Sequence, residues 1–105
     1  MDKTYSDQIY SGTLATTSTT IATIAANTTF IMKGFIISNA NTADKKAELL
    51  VNNIRILPFV KAIPTGDCLK VPMDMPVLSG QTIKLKGEIE TDMDYYIWGV
   101  NEVTT

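Results

Sequence analysis

The sequence predicts an all-β domain, an antiparallel β-sandwich that is jelly-roll-like and built from seven to eight short strands. Three observations carry this. Apolar and polar residues alternate over short runs rather than recurring at helical spacing. Turn signals separate the runs, among them Ala26-Asn27-Thr28, Pro64-Thr65-Gly66-Asp67 and Ser79-Gly80. Eight threonines fall between Thr13 and Thr29, and β-branched side chains suit a pleated sheet while losing rotamer freedom in a helix. The connections differ widely in length, which favours a sandwich over an up-and-down barrel.

Residues 1–7 read as a flexible polar lead, and residues 8–105 as a single β-sandwich domain. Strands are expected near 9–15 and 19–25, then over Thr29–Ser38, which only Lys33 interrupts. That third strand is apolar on both sides, so a second surface, another subunit, is expected to cover its outer flank. Lys45–Asn53 has some helical character, but Asn52-Asn53 and the Ile-rich run after it favour a strand. Ile54–Ile63 follows, with Pro58 demoting part of it to an edge or bulge. Cys68–Leu78 carries Pro72 and Pro76 and is expected at a sheet edge. Gln81–Gly87 alternates with Ile83 and Leu85 inward. Met93–Val103 closes the chain, with Tyr95, Ile97 and Gly99 on one face and Tyr96, Trp98 and Val100 on the other.

Composition narrows the function. The 105 residues contain no histidine and one cysteine, Cys68, so the usual general bases, activated nucleophiles and transition-metal ligands are scarce. A non-enzymatic protein without cofactor or metal is expected. Net charge is −2 and the nine basic residues are scattered; nucleic-acid binding leaves a basic stripe instead. No apolar run is long enough for a membrane span. The polar N-terminus predicts no secretory leader, and the lone cysteine suits folding in a reducing cytoplasm.

Several constellations have a functional reading beside a plain one. Glu88, Glu90, Asp92 and Asp94 alternate and so share one side of an extended segment. They could gather a hard cation, but the glycine-punctuated loop of a dedicated calcium site is missing, and a solvated hairpin tip is the simpler account. Paired carboxylates also serve glycoside hydrolysis, which needs a cleft that a small short-looped domain does not offer. Tyr96 and Trp98 share a face, suited to packing, a subunit interface or a sugar platform. Cys68 lacks a histidine to activate it and reads as an incidental thiol. Asn27-Thr28-Thr29 matches a glycosylation acceptor but reads as a turn. Gln8–Met32 contains no charged residue, and charge depletion marks interface centres as well as interior strands.

The order of elements carries a resemblance. It rests on Gly12-Thr13-Leu14, Thr20–Ile24, Thr29–Asn39, Ile63-Pro64, Pro76–Ile83 and Tyr96–Val100. Over residues 10–103 the chain resembles small β-sandwich structural proteins of tailed bacteriophages, found in virions as capsid-decoration or tail-associated subunits. In one respect it departs: Ile24-Ala25-Ala26 stands where a Val-Pro commonly follows the second strand. The resemblance implies a virion component that binds and stabilises an assembled capsid shell, or a tail accessory subunit. It also implies a homo-oligomer, most often a trimer, partnered by a major capsid or tail protein.

On this reading Ile31, Phe35 and Ile37 are the candidate self-association residues, and Thr16, Thr17 and Thr19 lie near the partner surface. The alternative is a carbohydrate- or receptor-binding module that uses Tyr96 and Trp98.

Overall fold

The computed structural model describes residues 2–60 and 62–105. It contains nine strands: β1 (Lys3–Thr13), β2 (Thr19–Thr23), β3 (Thr28–Asn39), β4 (Lys45–Val51), β5 (Ile54–Leu57), β6 (Ala62–Ile63), β7 (Cys68–Val77), β8 (Thr82–Gly87) and β9 (Met93–Thr104). Nine replace the expected seven to eight because the Ile54–Ile63 segment divides after Leu57, where Pro58 removes a ladder donor.

One sheet has the order β1-β9-β3-β7 and the other β2-β8-β4-β5, with β6 also pairing β4. All pairings are antiparallel. The first four strands alternate between the sheets, and β7, β8 and β9 alternate again. The result is the antiparallel β-sandwich that the sequence predicts. It is elongated, 51 × 20 × 19 Å.

Turn chemistry sets the corners. Asn52 and Asn53 both take positive φ, 51° and 61°, the paired left-handed geometry of a two-residue hairpin of the primed type. Gly80 (φ 82°) turns the chain from β7 into β8, and its N–H donates to the Ile24 carbonyl at 2.9 Å. β7 sits at a sheet edge as its prolines demand, with Pro72 and Pro76 paired only towards β3.

The core lies between the sheets. Phe30, Met32, Phe35 and Ile37 of β3 and Met93 and Ile97 of β9 pack opposite Ala47, Leu49, Ile83 and Leu85 of the second sheet. Tyr10 meets Phe30 edge-on, ring centroids 5.3 Å apart. At one end Asn39 is buried but fully paired. Its amide donates to the Ala43 and Ile63 carbonyls at 3.0 and 2.9 Å, and its Oδ1 accepts from the Asn41 N–H at 2.9 Å.

β3 contains the decisive irregularity. Its register with β9 shifts between Met32 and Gly34, so Lys33 is an extra residue that reverses the facing of everything after it. Phe30 and Met32 point inward before the bulge; Phe35 and Ile37 point inward after it. This corrects the expectation that Ile31, Phe35 and Ile37 form one interface set. Phe35 and Ile37 are 2% and 0% exposed and fill the core, so neither is open to a partner; Ile31 alone faces outward.

Of the expected flexible lead over residues 1–7, Met1 lies outside the described residues, and residues 3–7 form strand instead. β1 begins at Lys3 and pairs with β9 without interruption from Lys3↔Thr104 to Thr13↔Asp94. The ladder is satisfied by a strand some ninety residues away in the sequence, which local polarity does not reveal.

Candidate functional site

The outer face of the β1-β9-β3-β7 sheet is the chain's distinctive surface. Pairing registers set out its rows. Ser11, Tyr96, Ile36 and Lys70 form one; Ile9, Trp98, Gly34 and Pro72 the next; Asp7, Val100, Ile31 and Pro76 the third. The two inner strands of these rows present Tyr96, Trp98, Val100, Ile31 and Ile36 side by side, with Ile9 beside Trp98 on β1. Ile9 and Tyr96 are 48% and 43% exposed, and the other four are half-buried.

Glycine makes this face possible. A Cβ at Gly34 would lie 2.5 Å from Cζ2 and 2.7 Å from Cη2 of Trp98, so the indole occupies the space a side chain there would need. The Tyr96 and Trp98 rings are 6.3 Å apart and inclined by 39°. One ion pair falls between the Gly34 and Ile31 rows, where Lys33 Nζ is 2.5 Å from Asp74 Oδ1, and another beyond the Val100 row, where Lys3 Nζ is 3.3 Å from Glu102 Oε1. As expected, Tyr95 points the other way, and its ring lies against Gly12. Burial pushes the Tyr95 and Tyr10 phenols above their ordinary value of 10.0.

The opposite outer face differs in kind. Lys84 and Lys86 of β8 stand beside Leu50 and Glu48 of β4, with Arg55 across from Leu50. Lys84 Nζ donates to Asn53 Oδ1 at 3.0 Å, and Lys86 Nζ stands 4.2 Å from the Phe59 ring centroid. One flank of the sandwich is thus charged, the other apolar and aromatic.

The remaining candidate residues fall at one pole. Thr16 and Thr17 lie in the β1–β2 loop and Thr19 opens β2; all three are exposed. Thr16 Oγ1 donates to Glu90 Oε1 at 3.3 Å, and Thr19 Oγ1 to the Thr17 carbonyl at 3.0 Å. The four alternating carboxylates diverge rather than converge. Glu88 accepts from the Lys46 N–H, Glu90 from Thr16, Asp92 from the Asn41 amide and Asp94 from the Thr13 hydroxyl. Among the described residues no three carboxylate or cysteine groups gather as a metal site would require. Asp44 and Asp67 lie in loops at the same pole, where Asp44 Oδ1 accepts from the Thr65 N–H and the Asp67 carbonyl from the Asn39 N–H. Cys68 is free and exposed, at the rim of a shallow depression lined by Ser38, Asn39, Ala40, Gly66 and Asp67.

Ile9, Ile36 and Val100 are surface residues that sequence reasoning did not assign to the site. A signal for Val100 was present, in its shared parity with Tyr96 and Trp98; Ile36 is hidden by the bulge. Chemically, the arrangement excludes water from apolar area. Among the described residues it brings no nucleophile and base together. Among the described residues no helix is long and apolar enough to cross a membrane.

No protein-family model matches the chain, and no curated protein matches it. Solved structures do. A chain from the disulfide-linked pili of Bacillus endospore appendages is similar at TM-score 0.57 and 12% identity, over 98% of this chain and 89% of that one. A chain from the acid-stable capsid of Helicobacter pylori bacteriophage KHP30 is similar at TM-score 0.56 and 6% identity, over 99% of this chain and 98% of that one. These likenesses establish a shared fold.

Proposed function

We propose that this chain is a non-enzymatic structural subunit of a bacteriophage virion, which assembles with its own copies and with a major capsid or tail protein. The observation that carries the reading is the outward apolar row set around Trp98, Ile31 and Ile36, set against a charged flank on the other side. Contiguous apolar patches of this kind mark interaction surfaces. The fold shared with a phage capsid chain supports the virion reading, and the pilus likeness supports assembly more generally.

Capsid decoration is favoured over a tail accessory role, with a trimer as the assembling unit. Four strands spaced about 4.8 Å apart and some ten residues long offer a face on the order of 600 Å². That is below the roughly 800 Å² per partner of a standard stable complex. A single contact is therefore modest, and many simultaneous contacts on a regular shell supply the retention. Light scattering after size exclusion tests the self-association: a strict monomer at micromolar concentration overturns it. Electron cryo-microscopy of the virion then places the copies on shell or tail.

A second reading is favoured by one observation, the outward pairing of Tyr96 with Trp98. Under it the face stacks a sugar ring of a glycan receptor. Quenching of Trp98 fluorescence by sugars supports that reading. Trp98→Ala separates the two, since it abolishes glycan binding while sparing assembly only if the receptor reading holds.

A further inference from the structure

We propose that the free edge of β1 pairs antiparallel with β1 of a second copy, joining two sheets into one continuous eight-stranded layer. This deepens the assembly reading by naming a second surface, the backbone edge, distinct from the apolar face.

Sheet edges display unpaired N–H and C=O groups, and proteins blunt them with proline, charge, bulges or brevity. Three of the four edges here are blunted. β7 carries Pro72 and Pro76, together with Lys70 and Asp74, and its register shifts. β2 has five residues and a shift between Thr20 and Ala22. β5 has four residues, one of them Arg55, and β4 shifts against it. Of these devices β1 has only charge, near its start and its middle. It runs eleven residues without proline or bulge, and Lys3 and Asp7 are its only charges.

The free groups can be assigned residue by residue, with the Ile9 carbonyl accepting from the Gln8 side-chain amide at 3.2 Å, a bond that edge pairing would have to replace. At the two ends of the β1–β9 ladder, the Leu14 N–H donates to the Met93 carbonyl at 2.8 Å and the Thr105 N–H to the Asp2 carbonyl at 2.9 Å. Antiparallel pairs alternate between hydrogen-bonded and non-bonded. Even-numbered residues of β1 therefore aim their backbone at β9, and odd-numbered residues aim theirs at the open edge. The same odd residues place their side chains on the apolar outer face, as the pairing of Ile9 with Trp98 requires.

A second β1 is the occupant whose geometry and charge match. Pairing odd residue to odd residue about a two-fold axis at Gln8 sets Lys3 opposite Thr13 of the second copy. In this chain the Thr13 hydroxyl donates to Asp94 Oδ1 at 2.8 Å, so the carboxylate already leans towards that edge. Each Lys3 ammonium, 3.3 Å from Glu102 Oε1 in its own chain, then gains Asp94 of the other copy as a second carboxylate, once at each end of the ribbon. Near the axis Ile9 stands directly opposite Asp7 of the second copy and diagonal to its own counterpart, which brings the two apolar bands edge to edge. The two Asp7 carboxylates also fall diagonally, about 7 Å apart by sheet geometry, as a solvated repulsion.

Amide hydrogen exchange on the full chain across a concentration series tests this. The expected result is alternation. The N–H groups of Tyr5, Asp7, Ile9 and Ser11 gain at least tenfold protection as copies associate, whereas those of Tyr10 and Gly12 are protected throughout. Ser11→Pro, which removes a free-edge donor, is expected to lower the mass seen by light scattering while Ser11→Ala, which alters the same outer-face position but keeps the N–H, leaves it unchanged, and Asp7→Asn is expected to tighten association a few-fold. An assembled wild type with freely exchanging odd amides, or unchanged by Ser11→Pro while folded, overturns the edge pairing and leaves the apolar-face reading standing. A wild type monomeric at every concentration overturns both.

Discussion

The indole of Trp98 stands over Gly34, with Cζ2 2.5 Å and Cη2 2.7 Å from where a Cβ at position 34 would lie. The Val71 carbonyl, at 2.9 Å from the same point, closes the other side. The aromatic face thus depends on a missing side chain in the neighbouring strand.

Gly34→Ala is expected to displace the indole and to destabilise the fold by about 1–3 kcal/mol, the range for overpacking a tight site. Urea titration reads the stability. A shift in Trp98 emission, which is unambiguous because it is the only tryptophan, reads the displacement.

Phe35 and Ile31 lie four positions apart on β3 but on opposite faces. Phe35→Ala removes a core ring and is expected to cost about 3–5 kcal/mol of folding stability. Ile31→Ser is expected to cost less than about 1 kcal/mol and to weaken self-association instead. Thermal unfolding and light scattering on both variants check this contrast, and a reversed pattern would place the interface elsewhere.

Asn39→Ala leaves the buried Ile63 carbonyl without the amide it accepts from and frees the Asn41 N–H. Each such orphaned group costs about 1–3 kcal/mol. A total loss of about 3 kcal/mol is expected in chemical denaturation.

Alkaline pH acts through Tyr10 and Tyr95, whose phenols burial holds above 10.0. The folded chain keeps these protons more tightly than the unfolded one. Their contribution is therefore fully present below pH 10 and is lost as pH rises from 10 through the folded values. Unfolding midpoints measured from pH 8 to 11.5 should fall at the upper end. The double variant Tyr10→Phe/Tyr95→Phe should flatten that decline.

Much of the architecture was legible because it is local. Alternation assigned Ile83 and Leu85 inward and put Tyr95 and Ile97 on one shared face, and proline put β7 at an edge. Two features escaped for physical reasons. A bulge such as the one at Lys33 inserts one residue without any compositional mark, yet it exchanges the two faces of everything beyond it; Phe35 and Ile37 were misplaced on that account. The order of residues 3–7 comes from pairing with the far end of the chain, and nothing nearby in the sequence records it. The aromatic pair was visible from parity alone, whereas its partners Ile9 and Ile36 needed the sheet order.

The carboxylates of Asp44, Asp67, Glu88, Glu90, Asp92 and Asp94 all crowd one tip of a body 51 Å long. The molecule is therefore a lopsided rod electrically. Neighbours lying in the same direction would concentrate their negative tips, while neighbours reversed end for end would hold them a rod's length apart. Low salt should favour the reversed arrangement, giving any lateral array a built-in preference for alternating orientation.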